Sequence, residues 1–138
     1  MYQEKERTME LNKDIKQRDE ILFGAYYIED YRFGGCKRFD DVSVETLEKL
    51  VELNFLDQED AQNSAPTAKS FIEFMKKHPG FEAHGYAVTD SRPDYRVTIE
   101  GLNYLGRAER ETIMAFAMFA NGADDFTVSD DQLYCWWD

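Results

Sequence analysis

The sequence predicts a mostly helical α+β domain, with four or five helices and one β-hairpin. Three observations carry that expectation. Apolar residues recur at helical spacing in several stretches that open on capping residues. One stretch, 81–99, shows two strand-like runs around a turn-rich centre. The chain has 138 residues and is rich in large aromatics, ten Phe, eight Tyr and two Trp, which fits one domain, 1–138, with a core of its own.

Residues 3–28 read as the first helix, because Leu11, Ile15, Leu22 and Tyr26 share a face while the intervening positions are charged. Its polar start, 1–10, is expected to fray, and Gly34-Gly35 is the expected stop. Residues 36–42 read as a connector with a short extended piece. Ser43 is a good N-cap for a helix over 44–54, whose Glu45, Glu48 and Glu52 form an acidic outer stripe. A polar loop follows at 57–65. Pro66 suits a helix first turn, and that helix runs to His78 before Pro79-Gly80.

In 81–99, Gly85-Tyr86-Ala87-Val88 and Tyr95-Arg96-Val97-Thr98 flank the turn residues 89–94. Thr98 then reads as the cap of a helix weakened by Gly101 and Gly106 and firm from Arg107. The run 113–120 is apolar nearly all round, which predicts burial in the core or in a homodimer interface. Asn121-Gly122 reads as a left-handed stop. In the tail, 123–138, Phe126-Thr127-Val128 is an extended piece. Ser129 and Gln132 have the spacing of a capping box for a last helical turn.

Charge narrows the function classes. Asp and Glu number 28 against 16 Lys and Arg, a net charge of -12, which repels phosphate backbones and favours basic partners. The acidity concentrates in 40–60 and in the tail, whereas 66–110 is nearly neutral. Two cysteines, Cys36 and Cys135, do not make a disulfide framework and read as reduced thiols of a cytoplasmic protein. The N-terminus shows no secretory signal, and neither apolar run, 21–28 or 113–120, approaches the roughly 20 residues of a membrane span.

The chemistry-bearing residues form no recognised motif. Cys36, Cys135, His78 and His84 are the soft metal ligands, and none lies at zinc-site spacing. No nucleophile elbow, phosphate loop or His-Glu-x-x-His is present. Gly34-Gly35-Cys36-Lys37-Arg38 places cations beside a thiol, which lowers a thiol pKa, but no base is placed with it. The expected catalytic, cofactor and metal residues are therefore none.

Two resemblances add to this reading. Leu50-Val51-Glu52-Leu53-Asn54-Phe55-Leu56, with Tyr95-Arg96-Val97-Thr98 and the following Gly101, resembles winged-helix proteins, although the helix over 66–78 lies between the two halves. That likeness implies a DNA-binding regulator in which Lys69, Lys76 and Lys77 contact phosphate and Arg92 sits at the wing tip. The segments Gly34-Gly35-Cys36-Lys37-Arg38-Phe39-Asp40, His84-Gly85-Tyr86-Ala87-Val88 and Leu133-Tyr134-Cys135-Trp136-Trp137-Asp138 are similar to an uncharacterised family of small acidic proteins from Bacteroides-like bacteria. That likeness implies no activity.

The leading expectation is a non-enzymatic binding or regulatory module, of the sort carried on mobile elements, acting through a protein partner. The candidate surface is Glu45, Glu48 and Glu52 with the tail aromatics Tyr134, Trp136 and Trp137, since charge-rimmed aromatics anchor interfaces. The same aromatics could instead pack back on the first helix. The alternatives are the winged-helix regulator and an enzyme of unknown chemistry.

Overall fold

The computed structural model describes residues 10–138. Its elements are α1 (Ile15–Phe23), a 3-10 turn (Ile28–Tyr31), β1 (Cys36–Val42), α2 (Val44–Glu52), α3 (Ala68–Lys77), β2 (Glu82–Val88), β3 (Val97–Leu105), α4 (Arg110–Phe119), β4 (Asp125–Val128) and β5 (Gln132–Trp136). The strands form one antiparallel sheet in the order β1-β2-β3-β5-β4. The domain is therefore α+β but not mostly helical: 33% of it is helix against 25% strand, with more than one hairpin. The winged-helix expectation fails with it. The β2–β3 hairpin forms the middle of the sheet, flanked by β1 and β5, so it does not project as a wing.

The helices pack on one face of the sheet. Leu22, Leu47, Leu50, Phe71, Met75 and Phe116 of the four helices join one core cluster with Phe39, Ala83, Ala87, Ile99, Leu102, Leu133 and Cys135 of the strands. Rings dominate this layer. Phe74 stacks on Phe119 at 4.4 Å, Phe81 on Phe116 at 5.4 Å, and Phe71 meets Trp137 edge-on at 5.7 Å, geometries that add to the gain from burial alone.

Two stretches predicted as helix, the part before Arg107 and the last turn of the tail, are strands, each for a specific reason. In β3 the pairing with β2 slips between His84 and Gly85, where Gly101 and Ile99 are their respective partners. Glu100 is the extra residue of this bulge. The bulge returns Leu102 to the core face three residues after Ile99, which imitates helical spacing, and Thr98 caps nothing. In the tail, Ser129 N–H donates to Gln132 O at 3.0 Å, closing a tight turn between β4 and β5. The apparent capping box is that turn, and Leu133, Cys135 and Trp137 then point inward with the period of a strand.

The first helix is shorter than predicted. Asp14 caps it through Gln17 N–H, and Gly24, at φ 85°, ends it well before Gly34. Positions 3–9 of the predicted helix lie outside the described residues. Glu10 is tied down: its carbonyl accepts from the Asn54 side chain at 2.9 Å. Two charged positions of α1 point inward, while Lys16 and Glu20 stay exposed. Arg18 and Asp19 are 0% and 1% exposed. Arg18 donates to Val88 O and to the Tyr31 hydroxyl, pairs with Asp19 at 2.9 Å, and lies over the Tyr95 ring. Tyr31 also donates to Asp19. This satisfied cluster fastens α1 and the 3-10 turn to the end of β2, and burial with the Asp19 bond pushes the Tyr31 phenol pKa upward.

The cap of α2 follows expectation, whereas α3 begins at Ala68 behind a Thr67 cap, so Pro66 precedes the helix rather than opening its first turn. Ser43 accepts from Thr46 N–H and Thr67 from Ser70 N–H. The helix α4 is not buried all round: Phe116 and Ala120 face the core, while Met118 is 81% exposed. It ends at Ala120 without a left-handed residue at Asn121 or Gly122. Among the described residues no helix is long and apolar enough to cross a membrane.

Candidate functional site

Since successive side chains of a strand alternate faces, the residues between the core positions occupy the opposite side of the sheet. Cross-strand register sets them in rows. Arg38, Tyr86 and Thr98 form one row; His84, Gly101, Trp136 and Asp125 the next; Glu82, Asn103, Tyr134 and Thr127 the third. Among the described residues, the buried side chains of α2, α3 and α4 all belong to the helix-side core. Among the described residues, α2, α3 and α4 therefore leave this second face uncovered, and its Tyr86, Tyr134 and Trp136 remain half-buried.

The face is polar, aromatic and internally bonded. Arg96 donates to the Tyr86 hydroxyl at 2.6 Å and to Thr98 Oγ1 at 2.7 Å, lies over the Tyr86 ring, and reaches Asp94 at 3.1 Å. Arg38 reaches the largely buried Glu100 carboxylate at 3.3 Å. Gln132 bonds Asn103 at 2.9 Å. Bonding of this sort holds aromatic side chains in fixed poses, which lowers the entropy lost when a partner docks on them.

His84 sits at the centre. Gly101 lies opposite it, and a Cβ there would stand 2.6 Å from His84 Nε2 and 1.9 Å from the Cys135 carbonyl. The missing side chain is the space the imidazole fills. Nε2 donates to Cys135 O at 3.0 Å, and Tyr134 stacks nearly parallel on the ring at 5.2 Å. Nδ1 is then the acceptor nitrogen, buried and without a partner among the described residues. Burial lowers the His84 pKa below 6.5, the Cys135 bond opposes that, and the Arg38 charge adds to the lowering. The neutral ring belongs to the fitted face. Burial also pushes the Cys135 thiol up to about 12, so it stays protonated.

The sequence-predicted partner residues fall on different surfaces. Tyr134 and Trp136 lie on the open face. Trp137, next in sequence, is 3% exposed and packs against Phe71 and Phe119 of α3 and α4, not on the first helix. Glu45, Glu48 and Glu52 belong to α2 in the helical layer, so the structure does not bring them together with Tyr134 and Trp136. Glu48 is paired with Lys76 at 2.9 Å. Of the candidate phosphate contacts, the three lysines lie together on α3, with Lys76 bordering both of the depressions on either side of it, and Arg92 lies apart in the β2–β3 loop. Lys69 and Lys76 line a cleft of about 290 Å³ with Glu48, Glu52 and Glu73. Lys76 and Lys77 both border a shallow groove of about 890 Å³ with Phe74, Met118 and Phe119. Arg92, in the β2–β3 loop, is held by Asp94 at 2.7 Å, Gly34 O at 2.8 Å and Cys36 Sγ at 3.2 Å.

Sequence reasoning missed Arg38, Tyr86, Arg96 and Glu100 as members of one surface. The signal was present as period-two alternation in 84–88 and 133–137, but the bulge at Glu100 hid its continuation through β3.

The architecture is a two-layer α+β domain, with helices on one face of an antiparallel sheet and a polar, aromatic opposite face. No protein-family model, curated protein or solved structure matches the chain.

Proposed function

We propose that this protein is a cytoplasmic, non-enzymatic binding module that docks a protein partner on the open face of its sheet. The single observation that supports the reading most is the set Tyr86, Tyr134, Trp136, Arg38 and Arg96 on the face that, among the described residues, α2, α3 and α4 leave uncovered. Tyr, Trp and Arg are the residues that carry binding energy in interfaces, and here Arg96 braces Tyr86, Glu100 holds Arg38 and His84 stacks on Tyr134. The net charge of -12 favours a partner with a basic surface and speeds encounter with it.

The test is photo-crosslinking in the cell of origin. Benzoylphenylalanine at Trp136 is expected to trap a protein that the same group at Glu45, on the helical layer, does not. With that protein purified, Trp136→Ala is expected to weaken binding about tenfold or more, a loss of about 1.4 kcal/mol, and Glu45→Arg to leave it near the wild-type value. Equal trapping from both positions, or unchanged affinity of Trp136→Ala, contradicts the reading.

A further inference from the structure

The sheet has two edges, and they are built differently. The β1 edge carries Lys37, Arg38, Asp40 and Asp41, has a register break between Phe39 and Val42, and places Asp41 at φ 57°. The 3-10 turn is tied to it by the Lys37–Asp30 pair. Charges, a bulge and a covering segment are the devices that blunt edge strands. The β4 edge has regular register with β5 and, among the described residues, pairs with β5 alone. It carries no Lys or Arg.

The side of β4 left open can be assigned. The Ser129 N–H to Gln132 O bond makes those residues a hydrogen-bonded pair. By the alternation of antiparallel ladders, Thr127–Tyr134 and Asp125–Trp136 hold the β4–β5 bonds. The backbone N–H and C=O of Phe126 and Val128 then point outward. Their side chains lie on the helix side, where Phe126 stacks on Phe116 at 5.8 Å, yet they are 45% and 42% exposed. Asp124, Asp125, Asp130 and Asp131, all exposed, bracket the strand.

We propose that β4 takes up an extended segment of a protein partner as a sixth strand, with basic residues alternating with apolar ones. This rests on the protein-partner reading and names the partner's chemistry. Backbone pairing to Phe126 and Val128 supplies the register. The apolar residues of the added strand lie beside Phe126 and Val128, and the basic ones face Asp125 and the flanking aspartates. A second copy of this chain fits poorly, because antiparallel β4–β4 pairing sets Asp124 and Asp125 of one copy near Asp130 and Asp131 of the other.

The probe is a short end-blocked peptide alternating lysine and valine, titrated into the isotope-labelled protein. Binding is expected to shift and protect the Phe126 and Val128 amides, and to weaken as salt rises. Val128→Pro, which removes an outward N–H without touching the β5 ladder, is expected to weaken binding about tenfold. Asp125→Lys, an exposed change that spares the fold, is expected to shift preference toward the glutamate–valine peptide. No binding, or binding that leaves Phe126 and Val128 unprotected, overturns the proposal. So does dimerisation that Val128→Pro abolishes, which would make a second copy the occupant. A protein trapped from Trp136 that binds Val128→Pro normally leaves the module reading standing and removes the edge from it.

Discussion

The two faces of the sheet use the same strands for opposite purposes. On the helix side, Phe39, Ala87, Leu102, Leu133 and Trp137 meet Phe71, Phe74 and Phe116 in a dry core. On the other side, Arg38 and Tyr86 bond laterally to Glu100 and Arg96, Tyr134 stacks on His84, and these residues with Trp136 keep part of their surface exposed. Trp136 and Trp137 put the contrast into two adjacent residues. The main apolar core lies on one face, and the proposed docking surface on the other.

Substitutions of decreasing effect probe that division. Phe71→Ala, which removes edge contacts to both Phe119 and Trp137, is expected to cost about 3–5 kcal/mol in denaturant unfolding. A loss under 1 kcal/mol would mean the helical layer is not the stabilising one. Gly101→Ala drives a methyl group against His84 and the Cys135 carbonyl. A loss of about 1–3 kcal/mol is expected, with a changed His84 environment in the NMR spectrum. A neutral result would show that the open face is not fitted around its histidine.

His84 gives the open face a pH signature. Its folded pKa lies below the unfolded 6.5, so the unfolded chain binds more protons in the interval between them. Stability is therefore expected to be full above about pH 6.5 and to fall as pH drops through that interval. Subtracting the same profile for His84→Gln should remove that component. The smallest effect is assigned to Arg38→Gln: the Arg38 side chain is 59% exposed in its pair with Glu100, so the loss should stay below about 1 kcal/mol, while affinity for the trapped partner falls.

Much of the helical layer was legible in the sequence, as were the β2–β3 hairpin and the extended pieces that become β1 and β4, whereas the length of β3 and the existence of β5 were not. Ser43 and the spacing of Leu47, Leu50 and Val51 announce α2 without tertiary help. The strand β3 is hidden because the bulge at Glu100 turns an alternation of two into an interval of three between Ile99 and Leu102. The final strand is hidden because Ser129 and Gln132 close a turn with the residues a helix cap uses. Arg18 and Asp19 read as surface charges because their burial depends on Val88 O, Tyr31 and Tyr95, all distant in the chain. Of the open-face residues, Tyr134 and Trp136 stand out in the sequence as aromatics set within the acidic tail. Their separation from Trp137 and from the α2 glutamates required the strand assignment.

The adjacent tryptophans offer the most direct measurement. With 5-fluorotryptophan at both positions, the fluorine spectrum reports each face separately, with single Trp→Phe variants assigning the signals. On saturation with the partner trapped from the open face, the Trp136 resonance is expected to shift and lose its solvent isotope effect, while the Trp137 resonance stays in place. If Trp136 is unmoved at saturation, or Trp137 moves as far as Trp136, the open face is not where the partner docks.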